Sequence, residues 1–157
     1  MEIITYVAIE ILTYIAIFLA WVLVLYCAHR ICHVIPFLKK IHLYHHDFIN
    51  TSQPQWDWKN IFLWTNDFGE TMDLWVTEGI PTLAFCTVTG HWWIFVWWWI
   101  WAGLIEQFIE HNPKFDVPFL SAGKHHLQHH KYYNVNYSTF FPLWDWVLGT
   151  YKDRNTL

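Results

Sequence analysis

Cys27-Ala28-His29-Arg30-Ile31-Cys32-His33 leads, past Pro36, into Lys39-Lys40-Ile41-His42-Leu43-Tyr44-His45-His46, and the reading of this stretch decides the fold. As spacings it is H-x-x-x-H, a short gap, then H-x-x-H-H. Residues three or four apart lie one above the other on a helix. His29 and His33 therefore share a face of one helical piece, and His42, His45 and His46 share a face of the next. Pro36 lacks a backbone N–H and biases its predecessor away from helical geometry, so it separates the two pieces. Five imidazoles pointing one way are costly if left alone. Protonated, they repel; neutral and buried, each needs hydrogen bonds that an apolar surround does not give. A transition metal meets both problems, because it takes neutral imidazole through its lone pair.

The pattern has an echo in Lys124-His125-His126-Leu127-Gln128-His129-His130, where His126, His129 and His130 repeat H-x-x-H-H. Of the 11 histidines in the chain, all but His91 and His111 fall in these two regions. A closed structural zinc site takes four protein ligands and usually includes Cys. The eight histidines in register (His29, His33, His42, His45, His46, His126, His129 and His130) exceed that, and suit two metals with positions left open. Imidazole accepts zinc, copper, iron or nickel, so ligand type alone does not name the metal.

The rest of the chain describes a lipid environment. Only 14% of its 157 residues are charged, against about 25% in soluble chains, while 55% are hydrophobic and 13 are tryptophan. The net charge of −4 with scattered acids offers no basic footprint for nucleic acid. Three cysteines, Cys27, Cys32 and Cys86, sit in apolar surroundings and read as free thiols rather than a disulfide framework.

From Ile3 to Ala28 the chain is nearly all apolar, long enough to span a bilayer. With Glu2 and no basic residue before it, this reads as a retained transmembrane helix rather than a signal peptide. Asn50 to Gln55 reads as a loop. Trp56 to Trp64 reads as an aromatic segment lying in the membrane interface. Asn66 to Thr71 approaches a helix with capping residues. Leu74 to Thr89, interrupted by Glu78, Gly79 and Pro81, is a weak span, and His91 to Ile109 is a strong one after a turn at Gly90. All nine Lys and Arg lie between Arg30 and Lys59 or between Lys114 and Arg154. By the positive-inside tendency both histidine regions face the cytoplasm. His91 falls at the far turn, about 30 Å from them by helix rise, and takes an interfacial or structural role.

The expected fold is all-α and integral to the membrane, with about three transmembrane helices, or one span plus a hairpin, under a cytoplasmic histidine-rich helical cap. We expect a single domain over 1–157: a transmembrane helix at 1–28, the first histidine region and interfacial segment at 29–70, a transmembrane hairpin at 71–110, and the second histidine region and tail at 111–157.

H-x-x-x-H, H-x-x-H-H and a late H-x-x-H-H on a membrane chain resemble the fatty acid hydroxylase superfamily, the sterol desaturase-like membrane di-iron oxygenases. The tail is similar too, in His129-His130-Lys131-Tyr132-Tyr133-Asn134-Val135-Asn136-Tyr137 and in Leu143-Trp144-Asp145-Trp146-Val147-Leu148-Gly149-Thr150-Tyr151. The resemblance implies two iron ions, dioxygen as co-substrate, and hydroxylation or desaturation of a lipid such as a sterol or fatty acyl chain. It also implies a separate electron donor of cytochrome b5 or ferredoxin type. The eight histidines match the boxes, and His111 holds the place of a further family ligand, although His111-Asn112-Pro113-Lys114 stands where the family commonly has H-S-G-Y. His125, Asp145 and Asn134 are candidates for supporting the ligands from behind. The compartment implied is the endoplasmic reticulum in a eukaryote or the inner membrane in a bacterium. Two readings compete: a histidine-rich metal-ion transporter or storage protein, which would hold its ligands at mid-membrane on broken helices, and a histidine-based pH switch.

Overall fold

A single helix, α1 (Glu2–Cys32), carries the first histidine box at its end. The structure, a computed structural model, describes residues 2–51 and 55–154. Along the first half of α1 the large apolar side chains, Ile4, Ile9 and Leu12 among them, are exposed, whereas Trp21, Val22, Leu25 and Tyr26 in the second half are buried. Ile3–Cys32 is, among the described residues, the one helix both long and apolar enough to cross a membrane.

Pro36 is the first residue of α2 (Pro36–Thr51), where its missing N–H costs nothing because no intrahelical partner exists there. The loop expected from Asn50 does not begin there: the helix runs through Thr51, since the bias imposed by Pro54 reaches back only one residue. Residues 52–54 of that expected loop lie outside the described residues. The aromatic segment forms a 3-10 turn, Trp58–Phe62, closed by a reciprocal cap between Asp57 and Asn60. Trp58 and Phe62 are exposed. The indoles of Trp56 and Trp99 tie the segment to the second limb of the hairpin, donating to the carbonyls of Gly103 (3.1 Å) and Ile61 (2.7 Å) respectively.

Asp67 caps α3 (Phe68–Leu74) by accepting from the Glu70 amide at 3.0 Å. A π-turn at Trp75–Gly79 joins α3 directly to α4 (Ile80–Thr89), so Gly79 and Pro81 do not break the run. Pro81 follows directly on the π-turn, where the helix bonding pattern is already displaced by one residue, and there its missing N–H is accommodated. Gly90, at φ +75°, ends the limb in a left-handed conformation suited to glycine. The return limb is α5 (Trp93–Ile100), a second π-turn at Trp101–Ile105, and α6 (Glu106–Ile109). Trp93–Ile109 is apolar but shorter than a full span. Two short helices follow, α7 (Lys124–Tyr132) and α8 (Leu143–Val147). No strand occurs among the described residues.

The core joins α1 to this hairpin. Trp21, Leu25, Cys86, Ile94, Trp98, Trp101 and Phe140 are among its buried members. Its indole N–H groups find partners, as buried donors must: Trp21 donates to Thr82 Oγ1 at 3.0 Å, Trp98 to Glu78 Oε2 at 2.8 Å, and Trp144 to the Leu19 carbonyl at 3.2 Å. The end of α1, the start of α3 and the end of α6 are thereby brought to one side of the molecule. Cys27, Cys32 and Cys86 are all free thiols.

Candidate metal centre

Nine histidines converge there from four parts of the chain. His29, His33, His42 and His129 form one group and His45, His111, His126 and His130 another, with the prospective ligand nitrogens of each within 4.8 Å of one another. His46, wholly buried, lies between the groups. Its Nε2 is 3.1 Å from the Nε2 atoms of His42 and His129, and its ring stacks on that of His130 with centroids 4.2 Å apart. The helical spacing does this work: α2 turns His42 toward one group and His45 toward the other, and α7 does the same with His129 against His126 and His130.

Their protonation follows from the partners behind them. His29 Nδ1 lies 2.8 Å from the Tyr137 carbonyl, His129 Nδ1 2.8 Å from the Val135 carbonyl, and His42 Nδ1 2.8 Å from Asp73 Oδ1. A carbonyl oxygen only accepts, so His29 Nδ1 and His129 Nδ1 donate and, in a neutral ring, their Nε2 atoms present bare lone pairs. Yet His29 Nε2 is 3.0 Å from His42 Nε2 and 2.9 Å from His129 Nε2. The contact between His29 and His129 is not a hydrogen bond, because no proton is left to share. Lone pairs held this close are stabilised by a cation among them. A metal–imidazole bond of about 2.0–2.1 Å places adjacent ligand nitrogens about 3 Å apart at a right angle. The donor set fits a metal of that kind.

The second group is built against acid. His45 Nδ1 donates to Glu70 Oε2 at 3.1 Å, and Asp73 Oδ2 stands 3.9 Å away. Glu110 approaches His111 Nδ1 and His126 Nε2, both at 3.5 Å. His111 Nε2 and His130 Nε2 are 3.2 Å apart, and His130 Nε2 and His126 Nε2 2.9 Å. Burial by itself pushes His45 down, but Glu70, Asp73 and Glu110 more than reverse this and raise it to about 9. Burial and the surrounding imidazoles hold His46 down at about 2 and keep His126, His129 and His130 well below the usual range. The site therefore favours positive charge beside His45 while keeping most of its lone pairs free. A pocket lies against both groups, lined by His29, His45, Thr77, Glu78, Glu106 and Thr139 among others.

The supporting residues expected from the sequence take different places. Buried Asp145 accepts from the amides of Tyr137 (2.8 Å) and Ser138 (3.1 Å), from the Thr150 hydroxyl (2.8 Å) and from His125 Nε2 (3.3 Å). It thus fixes Tyr137, whose carbonyl holds His29, rather than gripping one of the nine directly. His125 faces away from both groups, toward Asp145. Asn134 is exposed, and two residues on, buried Asn136 does the bracing. Its side-chain amide donates to the carbonyls of His125 and Lys152 and to Gln128 Oε1, and it accepts from the Lys152 amide. His91 sits at the α4–α5 turn, in neither group. Sequence reasoning missed Glu70, Asp73 and Glu110. The available signal was Glu70-Thr71-Met72-Asp73, two acids one helical turn apart leading into an apolar run, where burial demands partners.

A family model for fatty acid hydroxylase matches residues 14–150. Methylsterol monooxygenase 1 of Gallus gallus is 28% identical over 132 residues, covering 80% of this chain and 41% of that protein. Methylsterol monooxygenase erg25B of Aspergillus fumigatus is 30% identical over 137 residues, covering 80% of this chain and 43% of its own. Lathosterol oxidase of Homo sapiens is 34% identical over a shorter 44 residues, 28% of this chain and 15% of that protein. The chain thus spans about two-fifths of the length of the methylsterol monooxygenases it matches. No solved structure matches. With the family model extending over both histidine regions and the tail between which the site is assembled, the chain belongs to the fatty acid hydroxylase family.

Proposed function

We propose that this chain catalyses O2-dependent hydroxylation or desaturation of a lipid at a pair of iron ions held by His29, His33, His42, His45, His46, His111, His126, His129 and His130. The observation that carries this reading is the approach of the His29 and His129 Nε2 lone pairs to 2.9 Å, each with its Nδ1–H committed to a backbone carbonyl and with His42 Nε2 beside them. A histidine-held iron pair supplies the oxidising power that removes hydrogen from an unactivated C–H bond with dioxygen as co-substrate. The chain's own part is to orient the imidazoles through Asp73, Glu70 and the carbonyls of Val135 and Tyr137, and to hold the lipid in the pocket beside them. The names of the matched relatives favour a sterol-like lipid over other classes.

In this reading the chain works as one domain, with α1 and the 71–110 hairpin in the membrane and both histidine regions on the cytoplasmic side, in the endoplasmic reticulum or the bacterial inner membrane. Two electrons per turnover come from a separate carrier protein. A transporter is not favoured, because its ligands would sit at mid-membrane, whereas here they lie at the ends of α1 and the hairpin. The test is purification with metal analysis, followed by His45→Ala and His129→Ala. Close to two irons per chain and loss of O2-dependent product in both variants, with helix content kept, is the expected result. Unchanged turnover in either variant would defeat the proposal.

A further inference from the structure

An exposed aromatic ring touches the buried centre. Tyr133, 39% exposed, stacks on wholly buried His46, with centroids 4.8 Å apart and planes 19° from parallel. His46 in turn contacts His42 and His129 of one group and His130 of the other. Tyr133 holds this place at φ +61°, a left-handed conformation that bulky residues rarely adopt, as the residue ending α7 with its amide bonded to the His129 carbonyl at 2.8 Å. Next to it, the ammonium groups of Lys131 and Lys152 lie over the ring of Tyr132, 5.2 and 3.9 Å from its centroid. Surface, stacked ring, bridging histidine and both groups thus form one continuous contact path, with cationic side chains at its outer end.

We propose that Tyr133 is the port through which electrons reach the centre, and that an acidic one-electron carrier protein docks over it, steered by Lys131 and Lys152. The inference rests on the oxygenase reading above. Hydroxylation of R–H by O2 to R–OH and water takes two electrons and two protons. Two reduced carriers dock in turn and each gives up one electron, while the protons come from solvent. Tyr133 is a positioning residue whose ring shortens the gap between carrier and His46 without itself being oxidised. Positive charge beside it raises the encounter rate with an acidic partner in a salt-dependent way.

The probes are the acidic haem domain of cytochrome b5 as carrier and dithionite as small reductant, with reduction of the oxidised centre followed anaerobically by stopped flow. Tyr133→Leu is expected to slow reduction by the carrier at least tenfold while leaving iron content and reduction by dithionite unchanged. Tyr133→Phe, which keeps the stack, is expected to behave as wild type. Lys131→Glu with Lys152→Glu is expected to weaken binding of the haem domain at least fivefold at low salt, a readout independent of iron loading. Carrier-driven reduction at the wild-type rate in Tyr133→Leu overturns the proposal, as does an equal loss with dithionite. Unchanged binding in the double lysine variant overturns the docking site. A wild-type protein that makes no oxygenated lipid with either reductant sinks the oxygenase reading instead, which separates the two failures.

Discussion

His42 and Asp73 are joined across 31 residues of sequence by a hydrogen bond of 2.8 Å from Nδ1 to Oδ1. The bond holds the ring of His42 and aims its Nε2 at the first group, and the second oxygen of the same carboxyl group faces His45 of the other group. A partner behind a metal-binding histidine typically governs affinity by 10–100-fold. Asp73→Ala is expected to weaken metal binding within that range, about tenfold or more, and Asp73→Asn by less. Metal titration of the stripped protein measures both.

Glu70 stands in the same relation to His45. Glu70→Gln keeps the size and an acceptor oxygen but removes the charge. It is expected to leave His42, His29 and His129 in place and to weaken the second group selectively, so that one metal per chain is retained under conditions where the wild type, on the proposed two-metal reading, holds two. Metal analysis after graded chelation separates the sites.

A pH dependence follows from His45, raised to about 9 by its carboxylate neighbours. In the metal-free protein it is protonated below that pH, and a metal must displace the proton to bind. Affinity of the second group is expected to rise about tenfold per pH unit from 7 toward 9, with one proton released per metal, and to level off above. The first group, with His33 held at about 3 and His129 well below its usual range, should show no such slope over this interval. Proton release during metal titration in two buffers checks the sign.

Asp145→Ala removes the acceptor of two buried amides and a hydroxyl, leaving those donors without partners. Burial opposes the ionised form of Asp145, yet its donors, His125 first among them, hold its pKa below the usual value, so the carboxylate is charged and fully used. A loss of about 2–4 kcal/mol in stability is expected for breaking such a network. Thermal unfolding in detergent measures it. Because the Tyr137 carbonyl also loses its anchor, metal affinity of the first group should fall in parallel.

The eight histidines of the boxes were legible in the sequence because their spacing matches the pitch of a helix, and they lie together in the structure with His111, which the resemblance and not the spacing suggested. The long apolar run before His29 was legible for the same reason, as was the separation at Pro36. The acids behind the histidines were not. Glu70 looks like an ordinary first-turn acid after the Asp67 cap and Asp73 like a polar residue one turn on, and only the fold of the hairpin onto α2 shows that they face imidazoles. Asn134 reads from the sequence as a support for the ligands, but Tyr133 ends the helix in a left-handed turn that leaves Asn134 exposed and gives the bracing to Asn136, which the sequence reading did not single out. The run from Leu74 to Thr89 reads as a weak span partly because Glu78 counts against it in composition, although that buried carboxylate lines the pocket rather than facing lipid.

The π-turn at Trp75–Gly79 inserts one residue into an otherwise α-helical limb. One residue is worth about 100° of rotation about a helix axis, so the turn sets the angular phase between Asp73 on one side and Thr82, which meets Trp21, on the other. Excising any single residue between 75 and 79 would keep the limb as greasy and almost as long as before. It would also swing its acids off the imidazoles while the far end stayed anchored. Such a deletant should still insert and fold as a bundle, yet come off a purification column colourless and empty.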